Sequence, residues 1–269
     1  MTKQRSNAGL AVVTGAAGGM GSASAVQLGA QGWSLLLCDL SEQQLEKSVA
    51  PLRAAGVRAD ILAGDIADPV YPSRLIAALG DRQIGALIHT AGLSPTMGDA
   101  ARIFAVNYDA TARLLEVVRP RMAEGGCAVL IASSAGYMMH SPELDAAIDA
   151  VVPGHDSSSL LKLAPSPGAA YTISKRAVQR MVAREATAFG ARKARIVSIS
   201  PGLIDTPMGR AQQKASPQMD MMLANTPLGR YGTADEIASV AVFLCSPGAS
   251  FISGCDIKVD GGVLAALEK

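Results

Sequence analysis

Short apolar runs alternate along this chain with longer segments in which apolar residues recur at helical spacing. Seven runs predict strands: Leu10–Thr14, Trp33–Cys38, Val57–Leu62, Ile84–His89, Cys127–Ala132, Arg195–Ile199 and Asp256–Val259. Most of these runs are continuously apolar rather than alternating, which is typical of parallel strands that are covered on both faces. The pattern predicts an α/β fold with a doubly wound parallel sheet of about seven strands, flanked by helices.

The segments between the strands contain clear helix signals. Ser41 can cap one helix, with Glu42 in its first turn and Gly56 just past its end. Three further helices are expected, over Asp99 to about Arg119 (where Pro120 marks the end), Ala169–Phe189 and Ala234–Leu244. No linker, repeat or change of composition divides the chain, so we expect one domain over residues 1–269.

One connection, over about residues 137–168, is much longer than the others. It places 32 residues between a predicted strand and a predicted helix, well beyond an ordinary connection. Its middle, Pro142–Val152, has helical apolar spacing. A tolerated surface insertion would explain it. A wall or lid of a ligand site would also explain it, because the segment follows the carboxyl end of a strand, where such sheets bind ligands.

The composition mainly excludes functions. Charged residues make up only 17% of the chain and hydrophobic residues 49%, so the protein can bury surface in an oligomer as well as in a core. A net charge of +1, without clustered Lys or Arg, leaves no basic surface for nucleic acid or anionic lipid. The four cysteines form no C-x-x-C pair, so no metal site is expected. No run is long enough to span a membrane, and the polar N-terminus has no apolar signal core, so we expect a cytoplasmic protein.

A glycine-rich turn directly follows the first predicted strand and opens a helix. It reads Thr14-Gly15-Ala16-Ala17-Gly18-Gly19-Met20-Gly21. Glycines let the backbone turn sharply and approach a pyrophosphate, while the helix N-terminus supplies N–H donors and a positive dipole. The spacing is not G-x-G-x-x-G, and glycines also permit tight helix–strand packing. Because the turn follows strand one, we nevertheless predict a dinucleotide site at Gly15, Gly18, Gly19, Met20 and Gly21.

Asp39 ends the second predicted strand, 18 residues after Gly21. A carboxylate there can accept hydrogen bonds from the adenine-ribose hydroxyls and would repel a 2′-phosphate. No Arg or Lys lies in the glycine-rich turn or immediately after Asp39, which favours NAD over NADP as the cofactor. The alternative, an aspartate associated with the helix cap at Ser41, ranks second.

Tyr171 and Lys175 are four residues apart in a predicted helix and so share one face. A free tyrosine has a pKa of about 10, and a neighbouring ammonium is expected to lower it, which suits the phenol for acid/base catalysis. Ser133 and Ser134 end the fifth predicted strand, where a hydroxyl can bind a substrate oxygen. Asn107, in the long preceding helix, can hold a water of a proton relay. Alternatively, its amide is exposed or satisfied in the core.

The sequence resembles the classical short-chain dehydrogenase/reductase family over nearly its whole length. The matching motifs, in order, are TGAAGGMG, CDL, GDI, VNYDAT, IASSAG, AYTISK, SPGLIDTPM and GCDIKVDGG. The resemblance implies a Rossmann-type fold and an oxidoreductase of alcohols or ketones, for which the Asp39 argument favours NAD. The low charged fraction, together with pairing in the family, leads us to expect a homodimer or homotetramer. It implies a catalytic tetrad of Asn107, Ser133, Tyr171 and Lys175. Ser133 is preferred to Ser134 because the family serine commonly reads S-x-x-G, which Gly136 completes.

The same resemblance implies cofactor contacts beyond the glycine-rich turn. Asp39 and the following residue would contact the adenine ribose. Asp65 and Ile66 would contact the adenine, and the segment that begins at Pro201 would contact the nicotinamide. The residues implied are Asp39, Leu40, Asp65, Ile66, Ala91, Gly92, Tyr171, Lys175, Pro201, Gly202, Ile204 and Thr206.

Two features depart from the family pattern. The family usually has N-N-A-G after the fourth strand, whereas this chain has His89-Thr90-Ala91-Gly92. Backbone contacts from Ala91 and Gly92 can persist, and His89 is expected to be structural rather than a catalytic base. The gap of 38 residues from Ser133 to Tyr171 is longer than in typical members. A similar insertion, with similar flanking motifs, occurs in bacterial 3α-hydroxysteroid dehydrogenase/carbonyl reductases.

Methionines are frequent in the segments expected around the substrate: Met138, Met139, Met208, Met219, Met221 and Met222. Methionine adapts to varied apolar shapes, although core filling is its commoner use. Because cations are few there, we expect a bulky neutral secondary alcohol or ketone, steroid- or terpenoid-like, bound by Ser133, Met138, Tyr171 and Met208. The alternatives are a 3-oxoacyl thioester reductase, which would want NADP and a basic docking surface, and a non-catalytic NAD-binding regulator.

Overall fold

The structure is a computed structural model that describes residues 9–151, 157–215 and 218–267. Its strands are β1 Leu10–Thr14, β2 Ser34–Asp39, β3 Ala59–Ala63, β4 Ile84–His89, β5 Met122–Ile131, β6 Arg195–Pro201, β7 Ile204–Asp205, β8 Gly232–Thr233 and β9 Asp256–Val259. Its α-helices are α1 Gly19–Ala30, α2 Glu42–Ala54, α3 Tyr71–Leu79, α4 Ala100–Phe104, α5 Ala110–Val118, α6 Pro142–Ala150, α7 Ser158–Leu161, α8 Pro167–Gly190, α9 Pro207–Ala215, α10 Gln218–Ala224, α11 Ala234–Leu244 and α12 Val263–Leu267.

Seven of these strands form one parallel sheet in the order β3-β2-β1-β4-β5-β6-β9, while β7 and β8 pair separately. Apolar side chains of α3, α5 and α8 pack against one face, and those of α1, α2 and α11 pack against the other. The continuously apolar strands are therefore covered on both sides, as their sequences require. The predicted α/β fold with a doubly wound seven-stranded sheet is confirmed.

The predicted strand boundaries agree with the structure to within two residues, except at the start of β5. This strand begins at Met122 rather than Cys127, and Met122 pairs with Ile84 before a shift in register. The N–H of Gly125 meanwhile donates to the carbonyl of Lys193 at 2.8 Å. The early part of β5 contains the charged Glu124 and two glycines, so the apolar pattern does not reveal it.

The long helix predicted over residues 99–119 is wrong in detail, because the structure interrupts it. A π-helical turn, Ala105–Asp109, separates α4 from α5, and Pro120 lies within a final 3-10 turn, Arg119–Arg121. The N–H of Ala110 donates to the carbonyl of Ala105, one residue further back than in an α-helix. The widened turn carries Asn107.

The long connection after β5 contains a 3-10 turn, Ser134–Tyr137, followed by α6 and α7. Ser141 caps α6 by accepting a hydrogen bond from the Leu144 N–H at 3.2 Å. The helix ends at Ala150 because Val151 is extended, and the predicted end at Val152 lies outside the described residues. Ser166 caps α8, which begins at Pro167, two residues before the predicted start.

The sequence pattern misses α3, α7, α9, α10, α12 and the two-residue strands β7 and β8. These elements are too short or too polar to show a clear apolar period. Within the described part of the chain, none of the helices combines the length and apolarity needed to cross a bilayer.

The strand order places a crevice at the carboxyl ends of β1 and β4. β1 pairs with β2 on one side and with β4 on the other, so the direction of winding reverses there. Ligands of doubly wound sheets bind at such a point. The glycine-rich turn follows β1 and the segment His89–Gly92 includes the end of β4, so both lie at this crevice.

Candidate active site

The glycine-rich turn after β1 is shaped by close backbone contacts. Gly15 has a φ of +67°, and a Cβ there would lie 2.7 Å from the Ala91 nitrogen. A Cβ on Gly21 would lie 2.2 Å from the Gly15 carbonyl oxygen, so only glycine lets α1 start this close to the turn. Gly18 caps α1 without a side-chain hydrogen bond, which leaves backbone N–H groups of the first turn for an anion. These features fit a pyrophosphate.

Asp39 lies at the end of β2 and is fixed against this turn. Its Oδ2 accepts a hydrogen bond from the Ala17 N–H at 2.9 Å, and its Oδ1 accepts one from the Leu40 N–H at 2.7 Å. Each carboxylate oxygen retains acceptor capacity for a ribose hydroxyl. Leu40 is 67% exposed beside it.

Arg74 of α3 reaches the end of the neighbouring strand β3. Its Nη2 donates to the Ala63 carbonyl at 2.7 Å, and a Cβ on Gly64 would lie 2.7 Å from its Nη1. The Gly64 N–H donates to the carbonyl of Asp39, so this guanidinium is close to the predicted ribose site. The sequence alone does not reveal this proximity, because Arg74 follows Asp39 by 35 residues.

The predicted adenine residues lie after β3. The Asp65 Oδ1 accepts a hydrogen bond from Ala67, and its Oδ2 pairs with the Arg102 Nη2 at 2.6 Å. Ile66 is partly buried against the core. Arg102 thus holds the Asp65 carboxylate in place, a contact across 37 positions that the sequence analysis did not anticipate.

His89 is buried and bridges two threonine hydroxyls. Its Nδ1 lies 2.6 Å from the Thr14 Oγ1, and its Nε2 lies 2.9 Å from the Thr111 Oγ1. Because the Thr111 hydroxyl donates to the Asn107 carbonyl, it must accept from Nε2–H, which leaves Nδ1 to accept from Thr14. Burial, together with the charge of Lys175, lowers the pKa of His89 to about 3. His89 is a neutral structural bridge in this geometry.

Thr90 replaces the second asparagine of the family motif and makes side-chain contacts of its own. Its Oγ1 donates to the Thr14 carbonyl at 2.8 Å. The same hydroxyl would lie 2.6 Å from a Cβ on Gly15. Thr90 therefore joins the end of β4 to the glycine-rich turn. Ala91 contributes its N–H to the Thr14 Oγ1 at 3.4 Å.

The predicted catalytic residues Ser133, Tyr171 and Lys175 come together at the carboxyl edge of β5. The Ser133 side chain lies near enough to the Tyr171 hydroxyl to act on the pKa of that phenol. The Lys175 Nζ lies 5.8 Å from the centre of the Tyr171 ring and donates to the Ile131 carbonyl at 2.8 Å. A Cβ on Gly92 would lie 3.4 Å from the same Nζ. An acid/base hydroxyl, an oxygen-binding hydroxyl and a cation thus share one cleft.

The expected lowering of the Tyr171 pKa by Lys175 needs correction. Burial raises the pKa of the Tyr171 phenol, and the Ser133 side chain opposes that rise. Burial also lowers the pKa of Lys175 to about 8. The phenol is therefore held in its proton-bearing form, ready to act as an acid, and Ser133 is the residue that favours the phenolate.

Asn107 uses its side chain to hold the segment after β4. Its Oδ1 accepts from the Leu93 N–H at 2.7 Å, while its Nδ2 donates to the Leu93 carbonyl at 3.0 Å and to the Ser174 Oγ at 3.1 Å. Both amide protons are therefore used within the protein. Water binding by Asn107 stays a prediction. Such a water would have to donate a hydrogen bond to an oxygen atom of Asn107.

The segment that begins at the end of β6 closes the other side of the cleft. A Cβ on Gly202 would lie 2.7 Å from the Asp260 Cα, and a Cβ on Gly19 would lie 2.9 Å from the Thr206 Cγ2. The segment thus touches the glycine-rich turn. The lining residues from the glycine-rich turn, the segments at the strand ends and α8 are Met20, Thr90, Gly92, Leu93, Ile131, Ala132, Ser133, Tyr171, Lys175, Pro201, Gly202, Leu203, Ile204 and Thr206.

Residues of α9, α10 and the loop before β8 complete the cleft. They are Met208, Gly209, Gln212, Gln213, Met219 and Tyr231. Met208 is where a substrate contact was predicted, whereas Met138 is 44% exposed and is not one of the lining residues. Gln212, Gln213 and Tyr231 carried no sequence signal, because neither the helix α9 nor the strand β8 that follows Tyr231 was predicted.

The cleft has little charge. Of the lining residues that the structure describes, only Lys175 carries a full charge near neutral pH. The described residues also contain no group of three or more His, Cys, Asp or Glu arranged to hold a metal ion. The arrangement suits proton transfer to an uncharged oxygen-containing group.

Comparison with known proteins identifies related sequences and folds. Residues 9–145 match the family described as short chain dehydrogenase, and residues 156–264 match the one described as Enoyl-(Acyl carrier protein) reductase. The short-chain dehydrogenase/reductase bsc3 of Alternaria brassicicola is 32% identical, with 94% of this chain and 95% of that protein covered.

Two solved structures illustrate the range of cofactors. The 3-alpha-hydroxysteroid dehydrogenase from Pseudomonas sp. B-0831, complexed with NADH, is 26% identical, has a TM-score of 0.78, and the match covers 97% of this chain and 98% of that one. A short chain dehydrogenase from Burkholderia cenocepacia J2315, in complex with NADP, is 24% identical with a TM-score of 0.77; 97% and 100% of the two chains are covered.

Proposed function

The chain belongs to the short-chain dehydrogenase/reductase family and is an oxidoreductase of alcohols and ketones, and from this premise we propose that it transfers a hydride between NAD(H) and a bulky neutral secondary alcohol or ketone. The observation that carries the proposal is the meeting of Ser133, Tyr171 and Lys175 in a cleft beside the glycine-rich turn.

The bound nicotinamide would supply the hydride in reduction and accept it in oxidation. Tyr171 donates the phenolic proton to the substrate oxygen during reduction and takes it back during oxidation. The Ser133 hydroxyl hydrogen-bonds to the same substrate oxygen. Lys175 contributes a buried positive charge, and we assign it to the nicotinamide ribose. Asn107 keeps Leu93, a lining residue, in place through both of its backbone groups.

The residues around the turn fit the remainder of the cofactor. Backbone N–H groups at the start of α1 would bind the pyrophosphate, and the carboxylate of Asp39 would accept hydrogen bonds from the adenine ribose. Asp39 favours NAD because its negative charge repels a 2′-phosphate. Arg74 binds the carbonyl of Ala63, the residue of β3 that pairs with Asp39, and a guanidinium in this region would oppose the preference, so the two residues must be tested together.

The first prediction concerns cofactor choice. Wild-type enzyme should show a higher kcat/KM with NAD(H) than with NADP(H) on the same substrate. Asp39→Asn should narrow this preference by about tenfold or more, because it removes a unit charge but keeps an oxygen for the Ala17 N–H. Steady-state kinetics with both cofactors measure the effect.

The control for this prediction is Arg74. If Arg74 supports binding of a 2′-phosphate, the double variant Asp39→Asn with Arg74→Ala should lose the NADP(H) activity gained by Asp39→Asn alone. An equal or higher kcat/KM of the wild-type enzyme with NADP(H) would contradict the assignment of NAD.

The substrate class follows from the lining of the cleft. The described lining is neutral except for Lys175, and it contains flexible apolar side chains such as Met208 and Met219. The Pseudomonas structural neighbour named above is a 3-alpha-hydroxysteroid dehydrogenase, which supports a bulky polycyclic substrate. A panel of neutral cyclic ketones and matched keto acids tests this. Better turnover of the keto acids would contradict a neutral substrate.

We also propose that the protein is a homo-oligomer. The low charged fraction supports this, and so do exposed apolar side chains such as Phe251, which is fully exposed, and Leu228, which is 66% exposed. The second prediction is that light scattering at micromolar concentration gives the mass of a dimer or a larger assembly. The mass of a monomer would contradict it.

A further inference from the structure

The helix α6 of the long connection is held on α8 by a row of ion pairs. Arg176 binds Asp145 through two nitrogens, with its Nε at 2.7 Å and its Nη2 at 2.6 Å from the two carboxylate oxygens. Arg180 pairs with both Asp145 and Asp149, and Arg184 pairs with Asp149. The side chains of Arg176 and Asp145 are only 15% and 18% exposed, so water weakens their pairing less than it would at the surface.

One member of this row also contacts the catalytic region. The Arg176 Nη1 donates to the Gln179 Oε1 at 3.2 Å. The Gln179 Nε2 in turn donates to the Ser133 carbonyl at 3.1 Å and to the Ser200 Oγ at 2.9 Å. Gln179 is buried, with 6% exposure. A continuous series of hydrogen bonds therefore runs from α6 to the backbone of Ser133.

The directions of these hydrogen bonds fix the orientation of the Gln179 amide. The guanidinium of Arg176 can only donate, and the carbonyl of Ser133 can only accept. A flipped amide would place two donors together at Arg176 and two acceptors together at Ser133. Arg176 thus selects the orientation in which Gln179 holds Ser133, and Asp145 holds Arg176.

The packing around Ser133 leaves little room for compensation. The 3-10 turn after Ser133 lies directly on α8, since a Cβ on Gly136 would be 2.9 Å from the backbone nitrogen of Arg176 and 2.8 Å from the Gln179 Nε2. The Ser133 carbonyl also accepts a hydrogen bond from the Gly136 N–H at 3.0 Å, and the Ser133 Oγ accepts one from the Ala135 N–H at 3.2 Å. A displaced Gln179 amide would shift the Ser133 peptide and with it the hydroxyl that faces Tyr171.

We propose that Asp145, Arg176 and Gln179 are positioning residues through which the inserted helix α6 sets the orientation of Ser133 toward Tyr171. This inference rests on the proposed function. It gives the long connection a role in catalysis that neither a passive surface insertion nor a substrate-site wall would have.

The third prediction tests this series with variants on both sides of Arg176. Gln179→Met keeps the side-chain length but removes both donors to Ser133 and Ser200, and it should lower kcat by about tenfold to a hundredfold, the cost of a small misplacement at a reacting centre. Asp145→Asn should lower kcat in the same direction by a smaller factor. The Kd of NADH, measured by fluorescence titration, should stay within about twofold of wild type, because these residues do not line the cleft.

Asp149→Asn is the matched control. It weakens the ion pairs of Arg180 and Arg184 on the same helix pair, but Asp149 forms no ion pair or hydrogen bond with Arg176 or Gln179 within the part of the chain that the structure describes. Its kcat should stay within about twofold of wild type, although its midpoint of thermal unfolding should fall about as much as that of Asp145→Asn.

The pH dependence of alcohol oxidation separates positioning from a loss of stability. The Ser133 hydroxyl favours the phenolate of Tyr171, so a misplaced Ser133 should move the pH of half-maximal oxidation upward. The titratable groups of this region are unchanged in these variants: Lys175, whose Nζ lies 5.8 Å from the centre of the Tyr171 ring, and the neutral His89, which the Lys175 charge influences. Destabilisation alone would not move this midpoint.

Arg176→Lys keeps the experiment decisive if Gln179→Met does not fold. A lysine can pair with Asp145 but cannot also reach Gln179 with a second nitrogen in a rigid fork. It should therefore reproduce the fall in kcat and the upward pH shift while the protein stays folded. If wild type shows turnover that depends on Tyr171, but Asp145→Asn and Arg176→Lys behave like Asp149→Asn, the positioning role is wrong and the proposed function stands. Absence of turnover in wild type would instead overturn the proposed function.

Discussion

Replacing Tyr171 with phenylalanine is expected to lower kcat for ketone reduction by about 10²–10⁴-fold, the usual contribution of general acid catalysis. The variant loses the phenolic proton that we assign to the substrate oxygen. It also loses the phenolic hydroxyl on whose pKa Ser133 acts. The ring itself remains packed against the core, so the fold should be retained. Steady-state kinetics on a neutral ketone with NADH measure the effect.

The affinity for NADH is the control in this experiment. Because only a hydroxyl is removed, the Kd of NADH for Tyr171→Phe should stay close to that of wild type. Circular dichroism establishes whether the variant is folded. A folded Tyr171→Phe enzyme with near-normal turnover would contradict the assignment of Tyr171 as the acid.

Replacing Lys175 with alanine should lower both kcat and the affinity for NADH. The Lys175 side chain is buried in the cleft that also contains Tyr171. We assign its positive charge to the nicotinamide ribose, which it would hold beside the reacting groups. The substitution also leaves the Ile131 carbonyl without this donor. The expected result is a combined loss in kinetics and in NADH titration, in contrast to Tyr171→Phe, which changes kcat alone.

Lys175→Met separates the loss of charge from the loss of packing. Methionine is unbranched and fills much of the space of the lysine chain, but it supplies neither charge nor donor. Lys175→Met should therefore show the same loss of turnover as Lys175→Ala with a smaller fall in the midpoint of thermal unfolding. Full NADH affinity in both variants would argue against a role of Lys175 in cofactor binding.

The residues whose roles depend on local patterns could be predicted from the sequence. The apolar runs gave the sheet, because strands covered on both faces must be apolar throughout. The carboxyl ends of parallel strands meet at one edge, which is why Ser133 after β5 and the glycine-rich turn after β1 were expected near each other. Tyr171 and Lys175 followed from their spacing of four residues on one helix.

The residues whose roles depend on packing could not be predicted in the same way. The sign of the Tyr171 pKa shift depends on how deeply the phenol is buried, and burial outweighs the opposing effect of Ser133 on the pKa. Asn107 lies on a π-helical turn, and its side chain binds the backbone of Leu93. The spacing of apolar residues in the sequence does not indicate such a turn. Arg74 and Arg102 reach the end of β3 and the residue Asp65 that follows it, where we propose the adenosine end of the cofactor, from helices distant in the sequence.

The long connection shows the same limit. Its helix α6 was expected from the spacing of apolar residues, but its partner was not. Asp145 meets Arg176 across 31 positions, and Arg176 meets Gln179 within one turn of α8. Only the packed structure shows that these contacts end at the carbonyl of Ser133.

The central claim is that Tyr171 delivers a proton while NADH delivers a hydride to a neutral ketone. It is tested most directly by mixing the enzyme–NADH complex with a bulky neutral ketone and counting the NADH oxidised and the alcohol formed, for wild type and Tyr171→Phe side by side. We expect one alcohol for each NADH oxidised by wild type, and a rate lower by about 10²-fold or more for Tyr171→Phe. Tight binding of NADH without oxidation by any ketone, or equal rates for the two enzymes, would contradict it.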